Sequence, residues 1–186
     1  MLHILLRNEV NAVKIFGKNI SAEGSEKKLL GCCDGIVARL KDSKNDIVSS
    51  GILGEGFAVY PLLNEHNNST DLAVDLSQPD RVSVTEISSP VSGRVLDISS
   101  KPEAVIIKTD DGLKVLVSFF DFASKSVYIS VRCGDLVKAG SQIADVKIDS
   151  ENRAVYVIVE NSDLLSKFEV NTGRTSDLKA AAEYTL

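Results

Sequence analysis

Residues 103–120, EAVIIKTDDGLKVLVSFF, set an Asp-Gly pair between two runs rich in β-branched and large apolar side chains. A two-residue type I′ turn needs positive φ at both central positions, and glycine adopts it without steric cost, so Asp-Gly between alternating runs signals a hairpin. With Asp111 and Gly112 as the loop, Asp110 faces Leu113, Ile106 faces Val117 and Ala104 faces Phe119. This register predicts a core face on one side and, on the other, a surface bearing Glu103, Val105, Leu116, Ser118 and Phe120. Glu103 and Ser118 are then diagonal neighbours about 7–8 Å apart between backbones. A carboxylate and a hydroxyl would meet on an otherwise apolar patch.

Working outward, VSGRVLDI around Gly93 and CDGIVARL around Gly35 share a turn glycine followed by alternating apolar residues. Such an echo marks repeated supersecondary units. Each unit reads as a strand pair wrapping one side of a flattened barrel or sandwich. Further strands are expected at residues 36–40, 47–49, 127–131 and 155–159. The chain is thus predicted to be all-β, built of short, mostly antiparallel strands with little helix. One short helix is expected to start at Asn161 or Ser162, whose oxygens can accept orphan amide bonds, and to end near 166 or 167. The tail DLKAAAEYTL favours transient helix through its alanines, but it is too short to be stable alone and reads as a fraying end.

Residues 1–28 read as an N-terminal arm or linker and residues 29–186 as one β domain, with an insertion at about 62–86. Within the insertion, residues 62–71 are rich in Asn, Ser and Thr and read as a mobile loop, followed by DLAVDL and RVSVTE as extra short strands around Gln78-Pro79-Asp80. Gly54 and Gly56 flank Glu55, but no GK[ST] follows, so a backbone turn is the reading rather than a phosphate loop.

Composition narrows the function classes. The 186 residues carry a net charge of −5 and are 44% hydrophobic, as expected of one globular domain. No basic stripe is present, which excludes nucleic acid as the expected partner. No apolar run approaches the ~20 residues of a membrane span, and MLHILLRNEV carries Glu9 too early for a signal peptide, so direct membrane insertion is not expected and a cytoplasmic location is. The three cysteines, Cys32, Cys33 and Cys133, form neither a disulfide framework nor paired CxxC zinc spacing. They read as buried or incidental thiols in a reducing compartment, and no metal or cofactor is expected.

The segments VSSGILGEGFAVYP, ISSPVSGRVLDI, TDDGLKVLVSFF and VRCGDLVKAGSQIADVKI together resemble the glucose-type enzyme IIA domain of the bacterial phosphoenolpyruvate-dependent sugar phosphotransferase system, over residues 30–168 with one insertion. The resemblance implies the duplicated hybrid motif of that family and a site with two histidines on neighbouring strands. One, in a VHFG-like segment, carries the phosphoryl group, and the other supports it. Matching the motifs places Ser118 at the phosphoacceptor position and Glu103 at the supporting one, with Phe120 where the family has glycine. The chain's two histidines are His3 and His66, neither of them in these motifs. His66 reads as a loop side chain.

A serine phosphate ester does not pass its phosphate on as phosphohistidine does, and a serine without a base is a poor nucleophile. The implied reading is an enzyme IIA-like domain with no catalytic residue expected, serving as a regulatory or protein-binding module. Its partners would be components of the phosphotransferase system or a sugar transporter or regulator. Two alternatives stand beside it: a phosphocarrier using another residue, and a structural domain of a larger assembly. CGDLVKAG is also similar to the corner of biotinyl and lipoyl carrier domains. Those need a lysine at a hairpin tip, where this chain has Asp111-Gly112, so Lys147 reads as an ordinary strand residue.

Overall fold

A computed structural model describes residues 26–62, 83–100, 103–148 and 153–186. The expected mobile loop with His66, the DLAVDL strand and nearly all of the N-terminal arm lie outside the described residues.

The fold is built around β11, Val155–Val159, whose sequence VYVIV is buried at every position. Because side chains alternate across a strand, Val155, Val157 and Val159 join the main core while Tyr156 and Ile158 join a smaller cluster on the opposite face. A strand buried on both faces has a nearly continuous apolar sequence. β11 is flanked by β3 (Glu55–Pro61) and β7 (Lys114–Ser118), both antiparallel. Five further strands complete an eight-stranded sheet of order β13-β2-β3-β11-β7-β6-β5-β9: β2 (Gly35–Arg39), β5 (Gly93–Ser100), β6 (Glu103–Lys108), β9 (Leu136–Val137) and β13 (Gly173–Thr175) join the three already named. Two three-stranded sheets contribute to the main core. One has β14 (Ala180–Thr185) between β1 (Lys27–Leu30) and β12 (Lys167–Val170); the other has β10 (Gln142–Ile148) between β4 (Ser83–Ser88) and β8 (Val127–Ile129). All pairings are antiparallel, so the all-β expectation holds.

The echo between the two glycine motifs has a structural cause. Gly35 and Gly93 each open a strand, β2 and β5, directly beneath a neighbouring carbonyl. A Cβ would lie 2.6 Å from the Tyr60 oxygen at Gly35 and 2.3 Å from the Lys108 oxygen at Gly93. Just before these glycines the two units cross-pair, Leu30 N–H donating to Pro90 O (2.9 Å) and Ser88 N–H to Cys32 O (2.7 Å).

The hairpin register differs from expectation by one residue. Ala104 pairs with Ser118, Val105 with Val117 and Ile106 with Leu116, so the loop has three residues, Asp110, Asp111 and Gly112. Type I′ is ruled out because within the loop Gly112 alone takes positive φ, at 95°, and among the described residues no non-glycine does. Thr109 fixes the closure. Its N–H donates to Leu113 O (3.0 Å), its hydroxyl accepts from Leu113 N–H (3.0 Å), and the same hydroxyl bonds Asp111. A one-residue slip moves one strand's side chains to the other face. Val105 accordingly lies in the main core with Val117, fully buried, and not on the face of Leu116, Ser118 and Phe120. Glu103 falls out of phase with Ala104, the residue that faces Ser118.

Other local expectations are corrected by capping and pairing. The expected strand at 47–49 is a helical turn, Asp46–Ser49, because the Asn45 side chain accepts from the N–H groups of Ile47 and Val48. The expected helix after Asn161 shortens to a 3-10 turn, Ser162–Leu164. Asn161 instead bonds the hairpin tip, accepting from Lys114 N–H (2.8 Å) and donating to Gly112 O (3.0 Å). The alanine-rich tail is β14, the central strand of its sheet, and Lys27 and Lys28, read as the end of the arm, are the first residues of β1. Lys147 does project, exposed, from β10.

Candidate functional site

The smaller apolar cluster lies on the other face of the eight-stranded sheet. Ala104 and Ile106 come from β6, Leu116 from β7, Ala58 from β3, and Tyr156 and Ile158 from β11. Leu40, Val48 and Leu53 reach it from the segment that links β2 to β3, and Phe120 packs on it just beyond β7. Ser118 sits between Ala104 and Tyr156 across the two adjoining strands.

Ser118 is 0% exposed, and among the described residues its Oγ has no hydrogen-bond partner. Leaving a hydroxyl buried and unpaired costs about 1–3 kcal/mol. Half-buried Phe120 lies against the Tyr156 ring, centroids 6.2 Å apart and planes tilted by 40°. The Tyr156 hydroxyl donates to Asp121 (2.7 Å) and lies 3.0 Å from the Ser43 hydroxyl, while Asp121 also accepts from Ala154 N–H (3.1 Å). Burial pushes the Tyr156 phenol far above its ordinary value, opposed by the Ser43 hydrogen bond and reinforced by the Asp121 carboxylate. Tyr156 therefore stays a neutral donor, tying the segment with Ser43 to the one that follows β7.

Of the residues expected to form one surface, Leu116, Ser118 and Phe120 come together. Val105 does not, and Glu103 lies out of register with them. Sequence reasoning missed Tyr156, Asp121 and Ser43. The available signal was Tyr156 itself, since a phenol inside the buried run VYVIV requires a polar partner. The chain's two histidines, His3 and His66, lie outside the described residues. Among the described residues no group of three His, Cys, Asp or Glu side chains is placed to hold a metal ion. A groove of about 670 Å³ lined by Arg39, Lys41, Glu55, Glu169 and Asn171 does not include Ser118. Among the described residues no helix is long and apolar enough to cross a membrane.

The sheet architecture defines an antiparallel all-β domain, and comparison with known proteins gives the family. Residues 27–164 match the family described as phosphoenolpyruvate-dependent sugar phosphotransferase system, EIIA 1, and the chain belongs to it. It is similar to the glucose-specific EIIA component of the phosphotransferase system from Halalkalibacterium halodurans, 24% identical over 170 residues that cover 84% of this chain and 86% of the relative. It is also 25% identical over 153 residues to the β-glucoside-specific EIIBCA component of Bacillus subtilis, covering 77% of this chain but 22% of that longer protein. The glucose permease IIA of Mycoplasma capricolum has the same fold, with a TM-score of 0.65 at 19% identity over 85% of this chain and 95% of that one.

Proposed function

We propose that this chain is an EIIA-type domain whose phosphoryl-relay face is closed, and that it acts through protein contact without carrying phosphate. One observation supports the reading: Ser118, which the motif match assigns to the phosphoacceptor position, is wholly buried between Ala104 and Tyr156, with Phe120 packed on the Tyr156 ring. An in-line displacement needs acceptor and donor at near-attack distance with nothing between them. Among the described residues the Ser118 hydroxyl has no hydrogen-bond partner, and a buried hydroxyl with no base bonded to it lacks both access and activation.

The protein contact is assigned to the rim of the same face. Ile47 and Ile52 stand there 64% and 85% exposed, on the segment whose Val48 and Leu53 pack into the cluster. Exposed apolar side chains on a segment that packs into a buried cluster make a docking surface. Its partners are other proteins of the phosphotransferase system or a sugar transporter or regulator, and its compartment is the cytoplasm. Incubating the chain with phosphoenolpyruvate, enzyme I and the histidine-phosphocarrier protein is the test. No acid-labile phosphate is expected on the chain, and acid-labile label on His66 or His3 would overturn the reading.

A further inference from the structure

We infer that the wedge between β4 and the Cys33-Asp34 turn binds an organic cation, a primary ammonium or guanidinium group on a narrow stem. This cleft, about 300 Å³, is lined by Cys33, Asp34, Val84, Thr85, Glu86, Ser88 and Asp177. It shares no residue with the Ser118 face, so the inference does not rest on the reading of that face.

Two independent observations converge on a cationic ligand. The first is charge: three carboxylates line the cleft, no lysine or arginine does, and among the described residues no cation pairs with them. Their field acts inside. The Cys33 thiol is held well above its ordinary value by the Cys32 side chain, then by burial, with Asp34 and Asp177 adding to the shift. The second is an orphan: Thr85 is 7% exposed, and among the described residues its Oγ1 has no hydrogen-bond partner. Buried hydroxyls are normally satisfied. An ammonium or guanidinium N–H supplies the donor that Thr85 lacks, while Glu86 and Asp34, both exposed, and the half-buried Asp177 neutralise its charge.

Shape restricts the ligand further. At about 300 Å³ the cleft has room for a single side-chain-sized group, and the Ser88 N–H on its lining is already taken, donating to Cys32 O at 2.7 Å. The carboxylates are not grouped to hold a metal ion. A compact dication would therefore find no shared coordination point, whereas an extended group can reach Thr85 within and the carboxylates at the mouth together.

The test is a titration of the full chain followed by amide NMR. One arm uses 1,5-diaminopentane as a free amine, and the other a blocked peptide with a single lysine, as a partner's side chain would present it. Saturable shifts at Asp34, Thr85 and Glu86 with either probe are expected, and the tighter arm identifies the source. Glu86→Gln and Asp177→Asn should each weaken binding at least about threefold, the scale of a partly exposed charge pair. Thr85→Val should weaken it with the rest of the spectrum intact, and Asp163→Asn, on the remote 3-10 turn, should leave it unchanged. No saturable shift with either probe would overturn the inference, as would loss of binding in Asp163→Asn equal to that in Glu86→Gln.

Discussion

The proposed reading turns on Ser118, and its burial can be measured directly. In a Cys133→Ser background, which removes the exposed thiol, Ser118→Cys should react with a thiol reagent in the native state no faster than buried Cys32 and Cys33. Adding Phe120→Gly should open the site and raise that rate at least tenfold, and equal rates with and without Phe120 would refute the covering role of its ring. Tyr156 supplies the lock beneath. Tyr156→Phe leaves Asp121 with one less donor and should cost about 1–2 kcal/mol in denaturant unfolding. Two further groups give the stability a pH signature. Tyr184 is raised to about 12, chiefly by burial, with the Asp111 carboxylate adding. Its contribution is complete below the unfolded phenol value near ~10 and is lost as pH rises through about 12. Burial alone would raise Asp111, but the hydrogen bonds from Lys27 and Thr109 hold it below its ordinary value. Its contribution is therefore present above the unfolded value of about 4 and disappears as pH falls below it. Tyr184→Phe should flatten the alkaline limb of a stability profile, and Asp111→Asn the acid limb.

Among the elements, the hairpin of β6 and β7 shows what local sequence can and cannot determine. Two strands joined at Asp-Gly were legible, because the alternating apolar runs and the glycine serve either loop length. The register was not, because it turns on the Thr109 hydroxyl reaching Leu113 and on Asp111 keeping negative φ. Gly112→Ala places a Cβ at φ 95° with nothing within 4 Å, so strain alone acts, and about 1 kcal/mol of destabilisation is expected. Gly93→Ala should cost more, because its Cβ would lie 2.3 Å from the Lys108 oxygen. Equal effects at the two glycines, in denaturant midpoints, would contradict this distinction. The turn at Asp46–Ser49 was hidden by β-branched Ile47 and Val48, which favour strands until Asn45 caps their amides. The tail was hidden the other way: alanines favour helix in isolation, but β1 and β12 supply ladder partners on both edges of β14. Propensity lost to pairing that only the assembled fold provides.

For the whole molecule, the all-β architecture was legible from repeated glycine motifs and short apolar runs and the EIIA family from the resemblance of four segments, while the site was legible only in part. The motifs led to Ser118 and Phe120. They did not lead to the Tyr156, Asp121 and Ser43 network, whose members are brought together across 113 positions between Ser43 and Tyr156. With both of its faces buried and strands on both sides, β11 should hold the slowest-exchanging amides of the chain, a pattern that hydrogen exchange reads residue by residue. The account stands or falls on closure of the phosphoacceptor face. Its most direct test is phosphoryl transfer from phosphoenolpyruvate through enzyme I and the histidine-phosphocarrier protein, read as acid-labile phosphate on the intact chain. Three proteins are compared: the chain itself, Ser118→His, and Ser118→His with Phe120→Gly. The account predicts no phosphate on the first two and its appearance on the third, whereas phosphate on the unaltered chain, or equal labelling of Ser118→His with and without Phe120, would contradict it.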